Sequence, residues 1–259
     1  MTDLDWLALI SAADVAATAQ TRRVVDTPAF RLLLSLDDDF GGVNWATPLR
    51  ADPGEADIAA LRGAFTAHHR TPRLEFLAEC WPGLSETLER SGFQSEGEPQ
   101  EIMLITPETF RGVANPDIGV QFLSPGDPDE AVATYLQTQT AGFGYGGSET
   151  PTAEQLVGWR VQLRAGRRAV LAALDGRPVG VGTTLGSELA ELQGVTTLPD
   201  ARRRGVAAAV SSALIARVFA RNAIAVWLSV ENTAARACYA KLGFRTIGSR
   251  SNYGAAPSG

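Results

Sequence analysis

The apolar and polar positions of this chain switch repeatedly between the alternating spacing of strands and the three-to-four spacing of helices. An acidic-to-aliphatic helix is expected near residues 3–20, a strand over Ala29–Leu36 and a helix over Ala56–His69. A strand at Arg73–Leu77, a helix over Leu84–Arg90 ending at Gly92 and a strand at Ile102–Ile105 follow. Pro107–Pro116, with its glycine and asparagine, reads as a linker. The pattern then restarts with a strand at Val120–Leu123 and helices near Pro128–Thr140 and Thr152–Arg164. Strands Val170–Leu174 and Val179–Leu185 flank Asp175-Gly176, a dipeptide suited to a tight hairpin. Strand Leu189–Thr196, helix Val206–Arg221 and strand Ala225–Val230 complete the series. Strands mixed with helices on this scale imply α/β or α+β layers.

Composition changes this picture little. The chain has 259 residues, room for one large domain or two ordinary ones, and its 45% hydrophobic content can fill a core. No apolar run reaches membrane-spanning length, and no secretory signal is recognised, so a cytoplasmic protein with no membrane partner is expected. Cys80 and Cys238 offer no disulfide framework, and with only His68 and His69 no histidine-rich metal site is expected. A net charge of −6 argues against nucleic acid as partner. The sequence leaves monomer and homodimer both open.

The most informative segment runs from Gly194 to Ala207, where a strand ends and turns through Arg202, Arg203, Arg204 and Gly205 into a helix. Glycine lets the backbone approach a ligand, and the helix start leaves amide N–H groups unpaired. Those donors, the helix dipole and the guanidiniums suit a phosphate or pyrophosphate. The loop lacks the Gly-Lys-Ser/Thr of a Walker motif and the three glycines of a dinucleotide fingerprint. Downstream, Asn232-Thr-Ala-Ala-Arg-Ala-Cys-Tyr-Ala-Lys-Leu-Gly-Phe244 combines an N-capping asparagine, an alanine-rich helix and a C-terminal glycine at 243.

Together these segments resemble the GCN5-related N-acetyltransferases (GNAT). Arg202, Gly205 and Ala207 match that family's Arg/Gln-x-x-Gly-x-Gly/Ala loop, and the second segment its Asn-x-x-Ala-x-x-x-Tyr-x-x-x-Gly-Phe element. The resemblance implies acetyl-CoA as acyl donor. It implies backbone contacts from Val195, Thr196 and Thr197 to the pantetheine arm. It places Arg202, Arg203, Arg204, Gly205, Val206, Ala207 and Ala208 around the pyrophosphate, with Asn232 reaching the pantetheine or its surroundings. Tyr239 is implied as proton donor to the departing thiolate.

The chain also resembles itself at an offset of 151 residues: Pro48 meets Pro199, Gly54 meets Gly205 and Gly92-Phe93 meets Gly243-Phe244. Arg202, Arg203 and Arg204 then face Ala51, Asp52 and Pro53, and Tyr239 faces Leu88. Two tandem GNAT-like acyl-CoA acyltransferase folds with mixed sheets are expected. Residues 1–112 would be a degenerate domain without the cofactor loop, and residues 117–259 the catalytic domain.

Acetyl transfer to an amine needs a base, because a lysine-like ammonium has a pKa of about 10.4. Glu191 is the candidate, eleven residues before Arg202, where several family members carry a carboxylate base. Strand alternation would put Glu191, Gln193 and Val195 on one face, where desolvation could raise the carboxyl pKa. A solvated edge glutamate is the open alternative to Glu191 as base, and Glu188 is a weaker candidate. The acceptor side would involve Gly142–Ser148, with Trp159, Arg250 and Tyr253 as further candidates, and a small-molecule primary amine is the expected acceptor. A non-catalytic acyl-CoA sensor or scaffold is the alternative function. Three signals carry less: Gly180-x-Gly182 has the wrong spacing for a dinucleotide loop, His68-His69 sits at a helix end, and Asp37-Asp38-Asp39 reads as a turn.

Overall fold

A computed structural model describes residues 1–36, 43–145 and 150–255. The Asp37-Asp38-Asp39 turn and the second half of the Gly142–Ser148 segment lie outside the described residues. The architecture is mixed α/β, and the chain forms two compact units. The first comprises Met1–Met103, Ser229–Glu231 and Thr246–Gly259; the second comprises Leu104–Leu228 and Asn232–Arg245.

In the first unit, α1 (Asp3–Ala19) starts at a reciprocal cap in which Thr2 and Asp5 bond each other's backbone N–H. Strands β1 (Arg23–Asp26), β2 (Phe30–Leu34) and β3 (Trp45–Pro48) form an antiparallel meander. Helix α2 (Glu55–Ala67) then crosses to β4 (Arg73–Leu77), which runs parallel to β3. Next come α3 (Leu84–Arg90), β5 (Phe93–Ser95) and β6 (Gln100–Ile105), along which the chain leaves this unit. The core packs α2 residues Ile58, Leu61 and Phe65 against Phe30, Leu32 and Leu74 of the sheet.

The second unit repeats the plan. Strands β7 (Ile118–Phe122), β8 (Arg168–Leu174), β9 (Arg177–Leu185) and β10 (Leu189–Thr197) are sequentially antiparallel. Helices α4 (Asp129–Phe143) and α5 (Ala153–Arg164) lie between β7 and β8 in sequence. Helix α6 (Val206–Phe219) crosses to β11 (Ala225–Val230), which pairs parallel with β10. Helix α7 (Thr233–Leu242) follows, and β12 (Arg245–Ala255) is the last strand among the described residues. The starts of α2 and α6 are 151 residues apart, the offset expected from the sequence repeat. At the β8–β9 turn, Asp175 and Gly176 both have positive φ, 51° and 76°, as a type I′ hairpin requires.

The last strand departs from the expected division. An assignment of residues 117–259 to one domain places β12 with the second unit, yet β12 pairs with β4 and β5 and counts with the first. Its sequence, rich in Gly, Ser and Arg, has no clear alternation, and ladder bonds to those two strands hold it extended. Strands β1, β3 and β5, each of three or four residues, also escaped the sequence reading, because so short a run shows no period.

Candidate acyl-CoA site

Two local breaks in β10 build the site. Its parallel pairing with β11 ends at Glu191–Trp227, although the strand continues to Thr197. The register with β9 also shifts between Gln193 and Thr196, where Gly194 has φ 60°. This bulge corrects one expectation. Gln193 faces Thr183, whose hydroxyl shares the Arg167 guanidinium with the Gln193 carboxamide. Val195 instead meets Val210 and Leu214 of α6 beside Gly182, on the opposite face. An extra residue in a strand inverts the alternation beyond it.

Beyond β10 the chain turns through Arg203, at φ 59°, and Gly205, at φ 86°, into α6. Left-handed residues at a helix entry point successive N–H groups into one concavity, an arrangement suited to anions. No side chain caps α6, and its first turn contains no acidic residue. In the first unit, Asp57 accepts a bond from the Gly54 N–H at 2.8 Å, and Glu55 adds a second carboxylate to the first turn of α2. The second helix start therefore suits a diphosphate, and the first supplies its own negative charge.

A cavity of about 350 Å³ opens at this turn. It gathers Val195, Thr196 and Thr197 from β10 with Arg202, Arg203, Gly205, Val206, Ala207 and Ala208 from the loop and α6. Three residues that sequence reasoning passed over, Ala234, Ala235 and Cys238 of α7, close the other side. Ala234 and Cys238 are four apart, so they share a helix face, and that spacing was the signal available. Arg202 braces the site: its Nε donates to the Thr197 carbonyl and its Nη2 to the Gly142 carbonyl, each at 3.3 Å.

Several expected residues lie elsewhere. Arg204 does not line the cavity; its carbonyl accepts a bond from Asn115 Nδ2. Asn232 caps α7 by accepting the Ala235 N–H at 2.9 Å, so it sets the position of Ala235 without lining the cavity. Tyr239, next to Cys238, also stands back from the cavity and packs edge-on against Phe244 at 5.6 Å. Burial raises the Tyr239 hydroxyl well above the ordinary tyrosine range, with the Cys238 thiol adding to the effect and Ser211 opposing it.

Glu191 is half-buried on β10 and accepts a short hydrogen bond from Gln193 Nε2. Burial disfavours the Arg167 guanidinium charge, and the Glu191 charge opposes that effect. At the end of α4, Phe143 and the 81% exposed Tyr145 stack with centroids 6.0 Å apart. Trp159 is buried against Tyr135 at 5.0 Å. Arg250 and Tyr253 are committed to partners in the first unit, Arg250 to Asp14 and Glu75 and Tyr253 to Glu89. Gly180 and Gly182, unhelpful as a motif, have a packing role: a Cβ on Gly180 would overlap Val206, and one on Gly182 would come within 2.7 Å of Val210.

Residues 134–244 match the model of the Acetyltransferase (GNAT) family. This stretch is similar to the acetyltransferase domains of that family. GNAT domains generally use acetyl-CoA as acyl donor, and the uncapped, acid-free turn of α6 fits its diphosphate. Among solved structures, a GCN5-related N-acetyltransferase from Kribbella flavida is 22% identical, with a TM-score of 0.77 over 98% of this chain and 96% of that one. A tandem GNAT protein from the clavulanic acid biosynthesis pathway is 17% identical, with a TM-score of 0.59 over 89% and 79% of the two chains. A GCN5-related N-acetyltransferase from Sphaerobacter thermophilus is 16% identical, with a TM-score of 0.62 over 90% and 83%. No curated protein matches the chain. These likenesses establish the GNAT fold and agree with a tandem arrangement. Among the described residues, no helix is long and apolar enough to cross a membrane, and no group of three or more His, Cys, Asp or Glu could hold a metal.

Proposed function

We propose that the GNAT domain transfers the acetyl group of acetyl-CoA to a primary amine of a small molecule by direct attack within a ternary complex. The observation that carries this reading is the joining of a splayed strand edge, Val195–Thr197, to the uncapped start of α6 around one cavity. Peptide groups on that edge, beyond the end of the pairing with β11, suit the amides of a pantetheine arm, and the turn at Arg203–Ala208 suits the pyrophosphate.

Acetyl-CoA supplies the activated acetyl thioester. In this reading Glu191 accepts the proton lost by the attacking ammonium, directly or through water, because only the free lone pair can attack. Backbone N–H groups at the β10 break stabilise the negative charge that develops on the carbonyl oxygen. The Tyr239 hydroxyl protonates the departing thiolate. Its raised pKa keeps that proton in place across the ordinary pH range. The first unit, with carboxylates at its helix start, is the degenerate copy.

The absence of Tyr239 from the residues lining the cavity favours one second reading, an acyl-CoA-binding sensor without catalysis. Release of free thiol from acetyl-CoA across a panel of amines separates the two. Amine-dependent release supports the transferase. Binding of acetyl-CoA with no release for any amine supports the sensor, and no binding at millimolar concentration sinks both.

A further inference from the structure

The sheet face of β8, β9 and β10 that meets α4 and α5 carries a polar chain that the motifs did not reveal. Arg167, just before β8, donates from one Nη to Thr183 Oγ1 at 3.2 Å and to Gln193 Oε1 at 2.9 Å. Gln193 in turn donates its Nε2 to Glu191. A carboxamide has one accepting and one donating end, so a guanidinium on its oxygen forces its NH₂ toward the carboxylate. Arg167 thus decides which way Gln193 points, and Gln193 decides which donor Glu191 meets.

Arg167 is itself firmly held. Its backbone N–H donates to the Gln162 carbonyl at 3.1 Å, and its guanidinium lies 5.7 Å from the Trp159 ring centroid. Trp159 is stacked on Tyr135, whose ring is fully buried. Burial disfavours the Arg167 charge, whereas Tyr135 of α4 and Glu191 of β10 favour it. A guanidinium placed at such a cost, with a short bonded path to one carboxylate, is poorly explained as packing alone.

We propose that Arg167 is a positioning residue for Glu191, acting through the Gln193 carboxamide. This rests on the reading of Glu191 as the base for amine acetylation. Arg167 touches neither donor nor acceptor; it orients the carboxylate and fixes the environment in which that carboxylate exchanges its proton.

The test uses the full-length protein with acetyl-CoA and the best amine from the thiol-release panel, comparing Arg167→Met, Arg167→Lys, Gln193→Leu and Glu191→Gln. Arg167→Met is expected to lower kcat by roughly tenfold, with acetyl-CoA affinity by calorimetry unchanged. Arg167→Lys should recover part of the loss. In the Glu191→Gln background, Arg167→Met should have no further effect. By carboxyl-carbon NMR, Glu191 should titrate about one pH unit higher in Arg167→Met and in Gln193→Leu than in the parent. Gln193→Leu gives an independent reading if Arg167→Met does not fold. Equal losses with and without Glu191, or an unmoved Glu191 titration, overturn the proposal. A moved titration in a protein that acetylates no amine overturns the transferase reading and leaves the Arg167–Glu191 coupling standing.

Discussion

Val206, the first residue of α6, rests on Gly180 of β9 with no room between them for a methyl group. This contact sets the height at which the helix start meets the sheet, and hence where its free N–H groups point. Overpacking a closed contact costs roughly 1–3 kcal/mol. Gly180→Val is therefore expected to lower the melting temperature by several degrees and to weaken acetyl-CoA binding. Thermal denaturation and calorimetry read the two effects, and unaltered affinity would dissociate the contact from the site.

Gly205 has φ 86° within the turn proposed to hold the diphosphate, and a Cβ there would lie 3.4 Å from Asn115 Nδ2. Gly205→Glu should abolish measurable acetyl-CoA binding through charge, bulk and strain together. Gly205→Ala, which adds backbone strain of order 1 kcal/mol, should weaken binding less. Isothermal titration of both variants checks this order.

Tyr239→Phe is expected to lower kcat about 10²-fold and to leave acetyl-CoA affinity unchanged, since Tyr239 is not among the residues lining the cavity. Full turnover by the variant across pH 6–9 would remove Tyr239 from the chemistry.

Burial raises the hydroxyls of Tyr239 and Tyr135 above their ordinary value. A pKa raised on folding means that the unfolded chain ionises first as pH rises. The stability contributed by these neutral tyrosines is complete below about pH 10 and is lost above it. Denaturant titrations should give constant stability from these groups between pH 7 and pH 9, with a decline from about pH 10 upward.

In the first unit, Arg250 bonds Asp14 and Glu75, each at 2.9 Å, and its side chain is only 12% exposed. Burial raises the Asp14 carboxyl, with Glu75 adding to the effect and Arg250 opposing it. Arg250→Met removes the cation paired with the largely buried Asp14, while Glu75 keeps Arg73 at 3.4 Å, a loss of about 3–5 kcal/mol at pH 7. Because the raised group takes up a proton on folding, acidification toward pH 5 should restore part of that stability. A pH-independent loss would point to packing of the arginine stem instead.

Sequence alone determined the features governed by neighbours along the chain. Asp175-Gly176 adopts its hairpin, Asn232 caps α7 and Gly243 takes a left-handed φ of 103°, because each depends on a few adjacent backbone angles. The two helix starts 151 residues apart and the acid-free turn of the second were legible for the same reason. Only the tertiary structure decided which unit claims β12, that a bulge turns Val195 away from Gln193, and that Cys238 lines the cavity while Tyr239 does not. It alone brought Arg167 to Gln193, 26 residues away. Such outcomes depend on strand pairing, register and helix packing between distant segments, which local propensity does not encode.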